Sequence, residues 1–378
     1  MKNIVIVGGG YAGINLLHQL KKIYDKQLGK TVSIILIDKH AFHFRKVLLF
    51  KRIVQQDIDL SIPLTNYTRE GVTFLQGEVV EINKEENYLI LDGQNQREKV
   101  RYDQLVLTLG SSYHSISGKG GMILKDTETA ERIRAQITQS LADQAKVRVA
   151  VVGAGITGIE TAAEIATWLN SQVGVQNEVI LFNSEKRLLS MAPKKVSKKL
   201  EEKLNMVGVK VVHQCRVESY DEDKRILSLV NDDPIPIDVC VWTTGIKANS
   251  GLHKLHLPQE SNGQLTIEAD YRLQGSHNIY AIGDCAKVKD FKMNKCDNMT
   301  CKEAIYQAGR LSKVMKRHLE GKPNHSSHKT YPINLFCISL GEEEAFVWMK
   351  KWNMNIVLTS GLARYLRKYT WDSASLVQ

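Results

Sequence analysis

A chain of 378 residues, 43% hydrophobic and 24% charged, is too long for one core and too ordinary in composition to be disordered or fibrous. Its net charge of +10 fits phosphate-bearing ligands, an anionic membrane or nucleic acid, without choosing among them. Six scattered cysteines exclude a disulfide scaffold, and the absence of a secretory leader or a spanning apolar run predicts a cytoplasmic protein or one peripheral on the cytoplasmic face of a membrane.

Asn3 to Val7 is a short apolar run, read as a buried parallel strand. Gly8-Gly9-Gly10-Tyr11-Ala12-Gly13 follows, then a helical pattern from Ala12 to Lys26 and a strand, Val32 to Ile37, that ends in Asp38. This strand–GxGxxG–helix–strand–acid unit is the pattern of a dinucleotide site. Gly8 makes the tight turn, Gly10 admits a pyrophosphate to the helix N-terminus, and Gly13 lets helix and strand pack closely. Asp38 would accept hydrogen bonds from a ribose.

A second copy begins at Arg148. Its strand precedes Gly153-Ala154-Gly155-Ile156-Thr157-Gly158, its helix runs through Ala166, and its next strand, Glu178 to Phe182, ends at Asn183. Gly8, Gly10, Gly13 and Asp38 superpose at one offset on Gly153, Gly155, Gly158 and Asn183. One such loop is weak evidence, because glycine turns are common; two in matching context are strong. The copies differ at the acid. Asp38 suits an adenosine ribose, whereas neutral Asn183 neither binds a 2′-hydroxyl strongly nor repels a 2′-phosphate. Glu185 is a candidate substitute, and Lys186 and Arg187 would tolerate a phosphate, so NADH is preferred over NADPH only modestly.

Asn278 to Cys285 is another short apolar strand, ending in Gly283-Asp284. A carboxylate there would either bond the ribityl hydroxyls of a flavin or cap an ordinary turn. Cys296 and Cys301 have the spacing of a redox pair, but read first as two unlinked thiols. Cys301 opens a helix running to about His318, whose dipole is expected to lower the thiol pKa. Cys215, Cys240, Cys285 and Cys337 read as structural. The histidines form no metal-ligand group; His325 and His328 fall in a polar linker, Asn324 to Thr330, and are expected to be solvated. Leu335 to Leu340 reads as a strand and Glu342-Glu343-Glu344 as a turn. Leu358, Leu362, Tyr365, Leu366 and Tyr369 trace a helical stripe, with Arg364, Arg367 and Lys368 on other faces. That pattern fits an interfacial membrane helix and equally a helix packed on the protein or a dimer partner.

Together these residues resemble the two-dinucleotide flavoproteins of the pyridine nucleotide–disulfide oxidoreductase superfamily over about residues 1–320. The resemblance includes Thr108-Leu109-Gly110, Trp242-Thr243-Thr244-Gly245 and Ala281-Ile282-Gly283-Asp284. It implies an α/β fold of two Rossmann-like domains: an FAD domain (1–112 and 240–322) interrupted by an NAD(P)H domain (113–239), and a short C-terminal α+β appendage (323–378). It further implies FAD at Gly8, Gly10, Tyr11, Ala12, Gly13, Asp38, Val79, Thr108, Gly110, Gly283 and Asp284, with Val79 by the adenine. NADH or NADPH would be bound at Gly153, Gly155, Ile156, Gly158, Asn183 and Gly245, the last near the nicotinamide.

Residues 41–50, AFHFRKVLLF, hold no cysteine, and no CxxC occurs anywhere, which disfavours disulfide reduction. His43 with Leu48-Leu49-Phe50, and the second loop with Glu160 and Glu164, resemble type II NADH dehydrogenases and ferroptosis-suppressor-like quinone reductases. The resemblance puts Glu160 near the nicotinamide and flavin. Lys302 and Tyr306 stand where that family has glutamines associated with its quinone site. Glu160, Glu164 and Lys302 are therefore the candidate catalytic residues. A solvated helix pair is the alternative for the glutamates.

The expected activity passes hydride from NADH to FAD and then two electrons to a quinone, menaquinone or ubiquinone. Alternatives keep the first half-reaction and change the acceptor to a small redox protein, sulfide or oxygen, or resemble a redox-sensing flavoprotein of the apoptosis-inducing-factor kind. The charge is spread through both domains, so nucleic acid is not expected; a homodimer is allowed.

Overall fold

The computed structural model describes residues 1–93, 96–143, 146–172, 174, 176–243, 245–323, 326–352 and 354–377. His325 and Thr244 therefore lie outside the described residues.

Two parallel sheets organise the chain. In the first, the strands run in the order Ile279–Ala281, Gln104–Leu107, Lys2–Val7, Val32–Asp38 and Val72–Asn83, all parallel, with Tyr88–Gly93 and Arg97–Arg101 added as an antiparallel meander. The second has Met122–Ile123, Val239–Trp242, Lys146–Val152, Gln176–Phe182 and Val209–Val212, again parallel. Ile4 to Val7 and Val149 to Val152 are buried on both faces, which is why they read as continuous apolar runs. The glycine-loop helices, Tyr11–Ile23 and Ile156–Asn170, start at the expected loops. An antiparallel ribbon, Ser111–Tyr113 with Ile246–Ala248, carries the chain between the two folds. The long helix Cys301–Leu319 packs along Tyr11–Ile23.

The C-terminal part is a three-stranded antiparallel sheet, Asn334–Ser339, Ala345–Lys351 and Met354–Thr359, followed by the helix Ser360–Ala374. One sheet face places Ile338, Phe346 and Trp348 in the core of the second fold. The other places Cys337, Ala345 and Val347 against Ala363 of the helix. The helical stripe is thus corrected at one end: Leu358 belongs to the last strand, with alternate residues facing the helix. Leu366 is half-buried against that sheet, while Leu362, Tyr365 and Tyr369 are exposed. Among the described residues no helix is long and apolar enough to cross a membrane.

The linker is the second correction. His328 is 2% exposed, and its ring lies between Tyr271 and Asp297. Sequence polarity suggested solvent; burial here is sustained by the Nδ1 hydrogen bond with Tyr271 and by the Asp297 carboxylate 3.1 Å from Nε2.

Candidate functional site

The two glycine loops share one construction. A Cβ on Gly13 would meet Gly8 O at 1.8 Å, and a Cβ on Gly158 would meet Gly153 O at the same distance, so only glycine lets each helix lie on its strand. At Gly10 and Gly155 a Cβ would find nothing within 4 Å. Both helices start without a side-chain cap or an acidic residue in the first turn. Each loop therefore presents uncapped N–H groups and open space, the chemistry a pyrophosphate requires. A threonine locks each turn. Thr108 Oγ1 donates to Gly8 O (2.8 Å), and Thr243 Oγ1 to Gly153 O (2.9 Å). Sequence reading named Thr108 but missed that Thr243 is its counterpart, because the spacing from loop to threonine differs between the copies.

Asp38 accepts the Gly9 N–H (2.6 Å) and the His40 N–H (2.8 Å), which fixes its carboxylate beside the first loop. Val79 lies half-buried at a bulge in the neighbouring strand. Asp284 follows Gly283, whose φ of +75° turns the chain at the strand end. Its carboxylate accepts from Ser111 Oγ (2.7 Å); burial raises its pKa, while Ser111 and Lys46 pull it back. Lys46 stands over the Tyr113 ring at 4.2 Å, and burial lowers its pKa against the pull of Asp284. The Lys46, Ser111 and Asp284 cluster joins the first crossing between the folds to the Gly283 turn. Only Asp284 was named from sequence. The residues present fit an FAD: Gly10 open to a phosphate, Asp38 for a ribose, and Asp284 by the Gly110 segment, where a Cβ would likewise meet nothing.

In the second fold, Asn183 Nδ2 donates to His213 Nδ1 (3.0 Å), and His213 Nε2 lies 3.2 Å from Glu201 Oε2. Asn183 Oδ1 accepts the Glu185 N–H, while the Glu185 side chain is exposed. Arg187 turns back to the Ser190 carbonyl. Gly245 has φ +61° and abuts His114.

The glutamates are not a solvated pair. Both are 2% exposed and face the C-terminal part of the chain. Arg367 donates to Glu160 through Nε and Nη2, and the Ser339 N–H adds a third hydrogen bond. Burial raises the Glu160 pKa, opposed by these partners. Neither oxygen of Glu164 has a hydrogen-bond partner; Lys51 Nζ stands 3.7 Å away, and burial pushes this carboxyl up to about 7. Trp371 lies between Arg367, Lys51 and Phe50. Arg45 pairs with Asp372, Tyr67 Oη donates to Ser375 O, and Asn15 donates to Ala374 O. Buried His43 has its pKa lowered to about 4, so its neutral ring donates from Nδ1 to Gly9 O and accepts from Ser375 Oγ. The last helix thus clamps both folds, and Arg367 faces inward as part of that clamp.

Lys302 donates to Leu335 O (3.0 Å) with its ammonium over the Phe336 and Tyr331 rings; Tyr306 also packs on Tyr331. The thiol expectation is corrected. Cys301 is half-buried and its pKa is raised, because lost hydration outweighs the helix terminus. Cys296 is exposed, no disulfide joins the six cysteines, and the other four are buried.

The pattern of pyridine nucleotide-disulphide oxidoreductases matches residues 2–308. The chain belongs to that family. It is 26% identical over 352 residues to the NADH dehydrogenase-like protein YutJ of Bacillus subtilis, covering 92% of each chain. To the type II NADH:quinone oxidoreductase of Haemophilus influenzae it is 27% identical, over 76% of this chain and 74% of the relative. The fold matches NDH2 from Plasmodium falciparum in complex with NADH, with a TM-score of 0.80, 19% identity, and coverage of 98% and 93%. Within that family frame the chain has the expected α/β fold, with two parallel sheets and a C-terminal antiparallel sheet plus helix.

Proposed function

We propose that the protein is an FAD-dependent NAD(P)H dehydrogenase that delivers two electrons to a quinone. The observation that carries this reading is the pair of uncapped glycine loops, each open at its second glycine and locked by a threonine, one beside Asp38 and the other beside neutral Asn183. FAD, when bound, accepts hydride from the nicotinamide and supplies the redox chemistry. The chain's own residues bind and orient. Gly10 and Gly155 admit the pyrophosphates, Asp38 and Asp284 hold hydroxyls of the first cofactor, and Lys46 presents a buried cation beside Asp284. Residues 1–112 with 240–322 serve the flavin, and 113–239 the nicotinamide nucleotide. Glu160, Glu164 and Lys302 line the junction with the C-terminal part, where Glu164 is poised to exchange a proton near neutrality.

A quinone is favoured over a disulfide because residues 41–50 carry no thiol and Cys301 is a half-buried thiol of raised pKa. Membrane access is supported by the C-terminal surface. Trp352, Met354, Leu362, Tyr365 and Tyr369 are exposed beside Arg364 and Lys368, the pattern of an interfacial anchor. We place the protein on the cytoplasmic face of a membrane.

Stopped-flow reduction by NADH and NADPH, followed by mixing with a menaquinone analogue, tests the activity. Fast flavin reduction with fast reoxidation is expected; reduction without reoxidation by quinone would remove the acceptor. Flotation with anionic liposomes, compared with a Trp352, Tyr365 and Tyr369→Ser variant, tests the anchor.

A further inference from the structure

The buried linker histidine is wired to the Gly283 turn. His328 is fixed to the flavin-side fold by its own N–H, which donates to Ala269 O (2.8 Å), and Arg310 ties the adjacent Ser327 carbonyl (2.6 Å). Its Nδ1 lies 2.7 Å from Tyr271 Oη, and its Nε2 lies 3.1 Å from Asp297 Oδ2. The side chains of His328 and Asp297 are 1% and 2% exposed. Gln307 Nε2 donates to the same Asp297 oxygen (2.9 Å), and Gln307 Oε1 accepts the Gly283 N–H (2.8 Å).

A carboxylate only accepts, so Asp297 receives the Gln307 N–H, while His328 Nε2 stands in contact with the same oxygen without a hydrogen bond of good geometry. That fixes which way the Gln307 amide points and leaves its oxygen for Gly283. On its other side, His328 Nδ1 shares a hydrogen bond with Tyr271 Oη. Tyr271 is itself held at φ +71°, a backbone conformation uncommon for a large side chain and sustained only where the surroundings enforce it. Buried polar contacts of this kind, shielded from water, hold their members in place.

We propose that His328 is a positioning residue for the flavin turn: through Asp297 and Gln307 it sets the Gly283 N–H, and with it the Asp284 carboxylate. The proposal rests on the FAD reading above. It makes the linker into the C-terminal sheet a determinant of flavin affinity.

The test measures the FAD dissociation constant, by recovery of free-flavin fluorescence, and the melting temperature of the flavin-stripped full chain. His328→Phe removes both ring contacts, Asp297→Asn lets the Gln307 amide reverse, and His328→Gln keeps a donor toward Asp297. The first two are expected to weaken FAD about tenfold, 1.4 kcal/mol, with His328→Gln recovering most of it and the melting temperature of the stripped chain unchanged. Should His328→Phe not fold, Asp297→Asn and His328→Gln decide. Unchanged affinity in Asp297→Asn, or affinity that falls only in step with melting temperature, overturns the proposal while the FAD reading stands. A wild-type chain that binds no FAD overturns both.

Discussion

Arg367 of the last helix donates two hydrogen bonds of 2.8 Å to Glu160 of the second glycine-loop helix, 207 residues earlier in the chain. Glu160 is buried, Arg367 half-buried, and Glu160 also accepts the Ser339 N–H. Arg367→Ala would strand a buried carboxylate, so a loss of about 3–5 kcal/mol in denaturant unfolding is expected. Glu160→Gln keeps the shape and removes the charge. Its stopped-flow hydride-transfer rate reports on chemistry separately from stability, and an unchanged rate would remove Glu160 from the mechanism.

Glu164 predicts a pH dependence. Its carboxyl is pushed up to about 7 from an ordinary value of 4.5, chiefly by burial and against the pull of Lys51. Between those two values the native chain holds a proton that the unfolded chain releases, so stability falls as pH rises through that window and levels off above it. The full effect is ~3 kcal/mol. Urea unfolding at pH 5 and pH 8 should show this slope in the wild type and its loss in Glu164→Gln. An identical slope in the variant would assign the dependence elsewhere.

The glycines of the first loop are expected to separate folding from binding. Gly13→Ala places a methyl 1.8 Å from Gly8 O and should cost roughly 1–3 kcal/mol or more, read as a lower melting temperature. Gly10→Ala meets no protein atom within 4 Å. It should melt like the wild type when stripped of flavin, yet lose FAD, because its methyl occupies the space of the pyrophosphate.

Nucleotide choice turns on Asn183. Asn183→Asp would add a carboxylate able to bond a ribose 2′-hydroxyl and repel a 2′-phosphate. The ratio of kcat/KM for NADH over NADPH should rise by about tenfold or more. A ratio that does not move would mean that the His213 and Glu201 contacts hold residue 183 away from the ribose.

The loops were legible in the sequence because their geometry admits only glycine at particular positions. Lys2–Val7 and Lys146–Val152 were legible because burial on both faces leaves an uninterrupted apolar run. What the sequence hid were partnerships between distant residues. Nothing near Glu160 announces Arg367, and nothing in the polar run around His328 announces Asp297, since a hydrogen bond that makes a buried polar group tolerable leaves no local pattern. Leu358 was misplaced for a related reason: a strand residue facing a helix and the first turns of that helix present apolar groups at similar spacing. Cys301 shows the limit of a single-effect argument, because the helix terminus was weighed without the burial that opposes it.

The interruption of the first sheet sets an order of assembly. The second sheet is built from one continuous stretch, Met122 to Trp242, whereas the first needs Ile279–Ala281 to return beside Gln104–Leu107. As the chain emerges N-terminus first, the later-encoded second fold has all its strands while the earlier one still lacks an edge strand and the Gly283 turn. Maturation therefore runs inside out: the inserted fold becomes competent first, the flanking one only after synthesis passes Asp284, and the His328 contacts and the C-terminal clamp close last.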